Sequence, residues 1–234
     1  MNLSGKRLLL TGGAKRIGAA IARHAARMGC RVALHCHNSV QEAEKLLTEL
    51  PGGGHTLHIY DLSDADAPEK LSAEVGNFDL LVNNAAIFYR PGSPEDAAAA
   101  KLYDRINFQV PKRLLEIFYQ MSPPDGAVVN ITDCMSLVPG QGSYWQSKKD
   151  LTELTIALAV PWAERKLRIN AIAPGAVLPP SWALDSAMSK ILAATPLHRS
   201  TAPGDIAELT GFLLTCPSIT GTVIPLDGAL HLKK

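Results

Sequence analysis

Short apolar runs alternate with amphipathic stretches from Lys6 to Leu226, and that alternation leaves few folds open. Lys6–Thr11, Arg31–Cys36, Thr56–Tyr60, Phe78–Asn83, Ala127–Thr132, Leu167–Ile172 and Thr222–Leu226 read as strands. After the first strand, Ile17, Ile21, Ala25 and Met28 recur at helical spacing, and Gly29 closes the stretch. Helices are also expected over Val40–Leu50, Ala67–Val75, residues 95–121, Ser143 to Lys166 and Pro203–Leu214, with Pro161 kinking the end of the long one from Ser143. Residues 174–200 carry several prolines and read as irregular. Strands joined through helices cannot pair as hairpins, so they must run parallel with helices on both faces. The expectation is an α/β doubly wound parallel sheet, with residues 1–234 forming one domain without linker or repeat.

Composition narrows the function classes. Hydrophobic residues make up 47% of 234 residues, enough for a large core. The net charge of +1 offers no basic field for nucleic acid. The opening MNLSGKRLLLTGG does not read as a signal peptide, and no apolar run approaches the roughly 18 residues of a membrane span. Cys30, Cys36, Cys134 and Cys216 form no C-x-x-C pair, which suits a reducing, cytoplasmic setting. Adjacent strand residues face opposite ways, so His35-Cys36-His37 is not expected to bind metal.

Thr11-Gly12-Gly13-Ala14-Lys15-Arg16-Ile17-Gly18 joins the first strand to the first helix. Such a turn aims backbone N–H groups and a helix dipole at an anion, and glycines let a pyrophosphate approach closely. A glycine-rich turn alone is a weak signal, but its place after an N-terminal strand points to a Rossmann-type dinucleotide site around Gly12, Lys15, Arg16, Ile17 and Gly18. Strand two ends in Leu34-His35-Cys36-His37-Asn38-Ser39, with no acid to hold a ribose 2′-hydroxyl. His37 and Ser39 can instead bond a 2′-phosphate beside Asn38, so NADPH is expected over NADH. Asp61 and Leu62 follow strand three and should lie near the adenine. Asn83-Asn84-Ala85-Ala86 follows strand four; Asn83 should tie the strands together, and Ala85 should leave room for the cofactor near Asn84.

Tyr144 and Lys148 stand four residues apart on an expected helix and so share a face. An ammonium near a phenol favours the phenolate and lowers its pKa, which equips the pair for proton transfer. The spacing is common on surface helices; its position after the fifth strand of a dinucleotide fold favours catalysis.

The order of these motifs resembles the short-chain dehydrogenase/reductase family across essentially the whole chain. The turn matches T-G-x-x-x-G-x-G except that Arg16 replaces the middle glycine, a variant that resembles the pteridine reductases and sets a cation beside the phosphates and the substrate mouth. His37 and Ser39 match their H-x-H-R-S stretch, with Asn38 in place of arginine. Asn130-Ile131-Thr132-Asp133 is similar to N-I-S-S, with Asp133 where a catalytic serine is usual and where pteridine reductases also carry Asp; the segment from Asp133 to Tyr144 is shorter than usual. Asn107 matches a helix asparagine that orders a water linked to the lysine. Phe88 matches a phenylalanine that stacks on a pterin. Pro174 and Gly175 match a P-G motif beside the nicotinamide. The segment Val177–Ser200 should form a substrate lid in which Trp182 or Leu184 lines the pocket, and Pro225-Leu226-Asp227-Gly228-Ala229 is similar to a C-terminal D-G-G segment.

The resemblance implies NADPH-dependent reduction of a dihydropterin or dihydrofolate ring, with Tyr144 and Asp133 handling the proton. Lys148 would tune Tyr144 and hold the nicotinamide ribose, and Arg16, Phe88, Asp133, Tyr144 and Trp182 would meet the substrate. It also implies a homotetramer built on the fourth and fifth helices. A ketone or 3-oxoacyl reductase on the same fold is the first alternative. A dinucleotide-binding regulatory protein without turnover is the alternative from another class.

Overall fold

The computed structural model describes residues 2–138, 142–177 and 185–233. Seven strands form one parallel sheet: β1 (Arg7–Leu10), β2 (Arg31–Cys36), β3 (Thr56–Ile59), β4 (Leu80–Asn83), β5 (Ala127–Ile131), β6 (Arg168–Pro174) and β7 (Val223–Leu226). Their order is β3-β2-β1-β4-β5-β6-β7, so the chain reverses direction across the sheet between β1 and β4. A crevice opens at the carboxyl ends of such strands, where the connections diverge to opposite faces.

Nine α-helices occur among the described residues: α1 (Arg16–Arg27), α2 (Val40–Glu49), α3 (Ala67–Val75), α4 (Pro94–Ala98), α5 (Ala100–Tyr103), α6 (Val110–Met121), α7 (Ser143–Ala163), α8 (Asp185–Ala194) and α9 (Pro203–Thr215). Strand alternation divides the core in two. Leu8, Leu10, Val32 and Val82 face Ile21 and Ala25 of α1, Leu46 of α2 and Ile206 of α9. Leu9, Ala33, Leu81 and Val128 face Leu71 of α3, Leu114 and Phe118 of α6 and Leu151 of α7. The central strands β4 and β5 are buried along their whole length, which is why they read as largely apolar runs.

Two expectations change. Residues 95–121 do not form one helix. They fold as α4, α5, a π-helical turn over Asp104–Gln109 and then α6. In the π turn the Val110 N–H donates five residues back, to the Arg105 carbonyl. Pro111 has no N–H to offer the Asn107 carbonyl four residues before it, so the regular ladder cannot pass through. The stretch read as irregular contains α8, which fits between Pro180 and Pro196.

The ends of β4 and β5 are stitched by buried amides. Asn83 Nδ2 donates to Asn130 Oδ1 (2.8 Å), and Asn130 Nδ2 donates to Thr155 Oγ1 on α7 (2.9 Å). Asn83 thus ties the strands as expected, through a partner that the sequence reading did not name. Asn130→Leu would leave the Asn83 amide buried without this acceptor, at a cost of about 1–3 kcal/mol. Urea unfolding of this variant is expected to show a lower midpoint with an unchanged slope.

Candidate active site

The crevice holds a cavity of about 500 Å³ whose floor is the turn between β1 and α1. Gly12, Lys15, Arg16, Ile17 and Gly18 line it on one side, and His37, Asn38 and Ser39 at the end of β2 line another. Asp61 and Leu62 close the far end, and Asn84 and Ala85 form the wall toward β4. Every residue expected around the phosphates, the 2′ position and the adenine therefore meets in one cleft. Ala86, Ile87, Ile106 and the buried His35, which the sequence reading did not select, line it too.

The turn is built by close packing. Gly12 has φ of +64°, and a Cβ there would sit 2.8 Å from the Ala85 Cα. A Cβ on Gly18 would fall 2.1 Å from the Gly12 carbonyl oxygen. Thr11 Oγ1 accepts from the Asn84 and Ala85 N–H groups (3.0 and 3.1 Å), and Asn84 Nδ2 donates to the Thr11 and Gly12 carbonyls (3.0 and 2.8 Å). Arg16 has φ of +53°, the left-handed region that a glycine enters more readily. Lys15 reaches Glu42 at 2.7 Å, and His37 Nε2 lies 3.6 Å from Asp61 Oδ2. The glycine cradle, the absence of an acid at the end of β2 and the presence of both His37 and Ser39 at its rim fit a 2′-phosphorylated dinucleotide.

Beyond the cleft, the ends of β5 and α7 bring the expected chemistry together. Asp133 is half-buried; its Oδ1 accepts from the Met135 N–H (2.8 Å), and its Oδ2 accepts from the Tyr144 hydroxyl (3.4 Å). Lys148 is buried and donates from Nζ to the Ile131 carbonyl (3.0 Å). Asn107 is fully buried in the π turn. Its Oδ1 accepts from the Ile87 N–H (3.0 Å), while Nδ2 donates to the Ile87 carbonyl (3.2 Å) and to Ser147 Oγ (3.3 Å). Asn107 therefore staples the strand-four loop to α7, and its direct partners do not include the lysine.

Desolvation dominates the electrostatics. Burial raises the Asp133 carboxyl to about 6, although the Met135 N–H, the Lys148 ammonium and the Tyr144 and Trp145 side chains all pull it down. Burial lowers Lys148 to about 8 against the opposing pull of Asp133. Tyr144 departs from expectation: burial, and then the adjacent Asp133 carboxylate, push its phenol upward. The Lys148 ammonium is turned to the Ile131 carbonyl, and the carboxylate is the charge that touches the hydroxyl. The phenol is held as a neutral donor.

Phe88 lies against Tyr144 with ring centroids 4.4 Å apart, and Trp145 meets Phe88 edge-on at 5.9 Å. Tyr103, fully buried, supports Tyr144 at 5.7 Å; its hydroxyl donates to Asp96 (2.8 Å) and accepts from the Tyr89 N–H (3.1 Å). Trp145 and Tyr103 were not foreseen; their proximity to the Tyr-Lys pair was the available signal for the first, and nothing local marked the second. Pro174 ends β6, and Gly175 packs so tightly on Asp227 that a Cβ would lie 2.8 Å from that residue's Cβ. Trp182 and Leu184 lie outside the described residues.

Two outcomes follow from this geometry. Gly18→Ala is expected to abolish saturable NADPH binding in a fluorescence titration while the protein stays folded. A carboxyl raised on folding supports stability only at low pH, and that support is lost as pH climbs through about 6. Asp133→Asn should therefore melt higher than wild type by a margin that grows between pH 4 and pH 7, read by thermal melts across that range.

A family profile described as Enoyl-(Acyl carrier protein) reductase matches residues 12–231. The chain is 32% identical to Oxidoreductase UcpA of Escherichia coli (strain K12), over 99% of this chain and 97% of that relative. It is 30% identical to 3-oxoacyl-[acyl-carrier-protein] reductase FabG of Thermotoga maritima, over 98% and 99%. Among solved structures it is similar to FolM Alternative dihydrofolate reductase 1 from Brucella canis complexed with NADP, with a TM-score of 0.89 and 33% identity over 99% and 96% of the two chains. The turn, the sheet order, the Tyr144–Lys148 pair and these likenesses agree: the chain belongs to the short-chain dehydrogenase/reductase family.

Proposed function

We propose that this protein uses NADPH to reduce a C=N bond in a dihydropterin or dihydrofolate ring. The observation that carries the reading is the Asp133 carboxyl bonded to the Tyr144 hydroxyl, on whose ring Phe88 rests, in a setting where burial pushes that carboxyl up to about 6. A ketone presents one oxygen, which a single hydroxyl donor can serve. A pterin presents a flat ring edge with several donors and acceptors, which a carboxyl beside a phenol can match. The Brucella relative named as a dihydrofolate reductase, complexed with NADP, supports both substrate and cofactor.

When bound, NADPH supplies the hydride. Gly12, Ile17 and Gly18 would face its pyrophosphate with Lys15 and Arg16 beside it; His37, Asn38 and Ser39 would meet its 2′-phosphate; Asp61 and Leu62 would line its adenine. Asn84, Ala85, Pro174 and Gly175 would border the nicotinamide half. Tyr144, kept neutral, donates a proton to the ring nitrogen as hydride reaches the adjacent carbon, and Asp133 resupplies it. Lys148 holds the ribose and balances the charge on Asp133, while Asn107 fixes the loop that carries Phe88. Arg16 and Phe88 would meet the substrate, with Trp182 a further proposed contact. A homotetramer packed on α6 and α7, working in the cytoplasm, belongs to the same proposal; half-exposed Ile156 and largely exposed Val160 give α7 an apolar face for such a contact.

The Thermotoga relative favours one alternative, reduction of a 3-oxoacyl thioester. NADPH oxidation is to be followed with dihydrobiopterin, dihydromonapterin, dihydrofolate and acetoacetyl thioester. Pterin turnover that exceeds thioester turnover supports the proposal, and the reverse ranking overturns it; saturable NADPH binding with no turnover would instead indicate a regulatory protein. Tyr144→Phe should lower kcat by on the order of 10²–10⁴-fold. With the pterin, kcat/KM should fall above about pH 6 as Asp133 loses its proton, and Asp133→Asn should flatten that limb.

A further inference from the structure

His35 lies inside β2, in a run of residues that are otherwise apolar and buried, and is itself only 2% exposed. Its imidazole spans two segments of the cleft. Nδ1 lies 3.2 Å from the Gly12 nitrogen, whose N–H donates to it. Nε2 lies 3.0 Å from the Tyr60 carbonyl oxygen. An N–H facing Nδ1 requires a lone pair there, and a carbonyl facing Nε2 requires a proton there. One neutral tautomer satisfies both, and neither the other tautomer nor the imidazolium does. Burial lowers the His35 pKa to about 4, with His37 and His58 adding to the effect against the Tyr60 carbonyl, so the neutral form prevails near neutrality. The main-chain carbonyl of His35 takes the next N–H of the turn, that of Gly13, at 2.9 Å.

We infer that His35 is a positioning residue that fixes the separation between the pyrophosphate turn and the adenine wall by holding Gly12 through Nδ1 and the end of β3 through Nε2. Tyr60 leads directly into Asp61 and Leu62, which line the far end of the cleft, while Gly12 lies on its floor. An apolar side chain would fill the same volume but leave the Gly12 N–H and the Tyr60 carbonyl untied. The two walls would then be held to β2 by main-chain bonds alone, Gly13 N–H to the His35 carbonyl (2.9 Å) and Tyr60 N–H to the Cys36 carbonyl (3.1 Å), with no side chain setting the distance across the cleft.

The two bonds can be cut separately. The amide oxygen of asparagine reaches as far as Nδ1, and the amide nitrogen of glutamine reaches as far as Nε2. His35→Asn keeps an acceptor for Gly12 and releases Tyr60; His35→Gln does the reverse. Binding is measured with two probes, NADPH, which needs both walls, and adenosine 2′-phosphate, which needs only the adenine end. His35→Gln is expected to weaken NADPH by about tenfold or more while changing adenosine 2′-phosphate by less than about threefold. His35→Asn is expected to weaken adenosine 2′-phosphate the more of the two variants. A residue needed only for stability would give parallel losses, so equal losses of both probes in both variants, or none in either, overturns the proposal. Nitrogen NMR of the wild-type imidazole gives a check independent of folding in the variants. The Nε2-protonated neutral tautomer at pH 7 supports the assignment, and the Nδ1-protonated tautomer or the imidazolium overturns it.

Discussion

The cleft depends on the clamp between β1 and β4. Leu10 pairs with Val82 in parallel register, and the Thr11 N–H continues the ladder to the Val82 carbonyl. Beyond that point the strands separate, and two side chains take over from the ladder. The Thr11 hydroxyl accepts from the backbone beyond β4, and the Asn84 amide donates to the backbone beyond β1. Each supplies the partner that the other strand's backbone has lost, so the sheet can open without orphaned polar groups. The tight fits at Gly12 and Gly18 follow, because the turn is pressed against Ala85 and against itself.

Past the clamp, Asp133, Tyr144 and Lys148 share a water-poor corner, and burial governs all three. It raises the acid, raises the phenol and lowers the amine, so each is driven toward its neutral form. Their protonation is coupled, and the corner titrates as a set in which the acid and the phenol share one hydrogen bond. The carboxylate beside Tyr144 makes the phenol a weaker acid than the Tyr-Lys spacing alone implied, so the phenolate is scarcely populated. The same carboxylate makes the corner a better store of protons, which suits reduction more than oxidation.

The fold was readable because its signals are local and redundant. Buried strands such as Leu80–Asn83 show as apolar runs, and α1 shows as the recurrence of Ile17, Ile21, Ala25 and Met28. That Gly12, Gly18 and the end of β2 would share one cleft was readable because backbone chemistry ties them to fixed places in the chain. The π turn was not, since the stripe Leu102, Ile106, Val110 keeps helical spacing while Pro111 removes one donor. The direction of the Tyr144 shift was not legible either. It depends on which charge touches the hydroxyl, and the four-residue spacing says only that Lys148 shares its face. His35 hid for a related reason: its two partners lie 23 residues before it and 25 residues after it.

The ring of Phe88 has a bearing on how this site chooses among molecules. It already rests tilted on Tyr144, with Trp145 edge-on to it, so part of its surface is covered before any guest arrives. On the proposed reading, a flat guest would share the Phe88 ring with these neighbours, and its gain in apolar contact would be the smaller for it. Selection then falls to the groups around the rim of the guest, where Asp133 and Tyr144 wait with one donor and one acceptor between them. A molecule of the right flatness but the wrong rim would gain little there, and the aromatic wall would then act as a filter against greasy planar compounds as much as a platform for the proposed ligand.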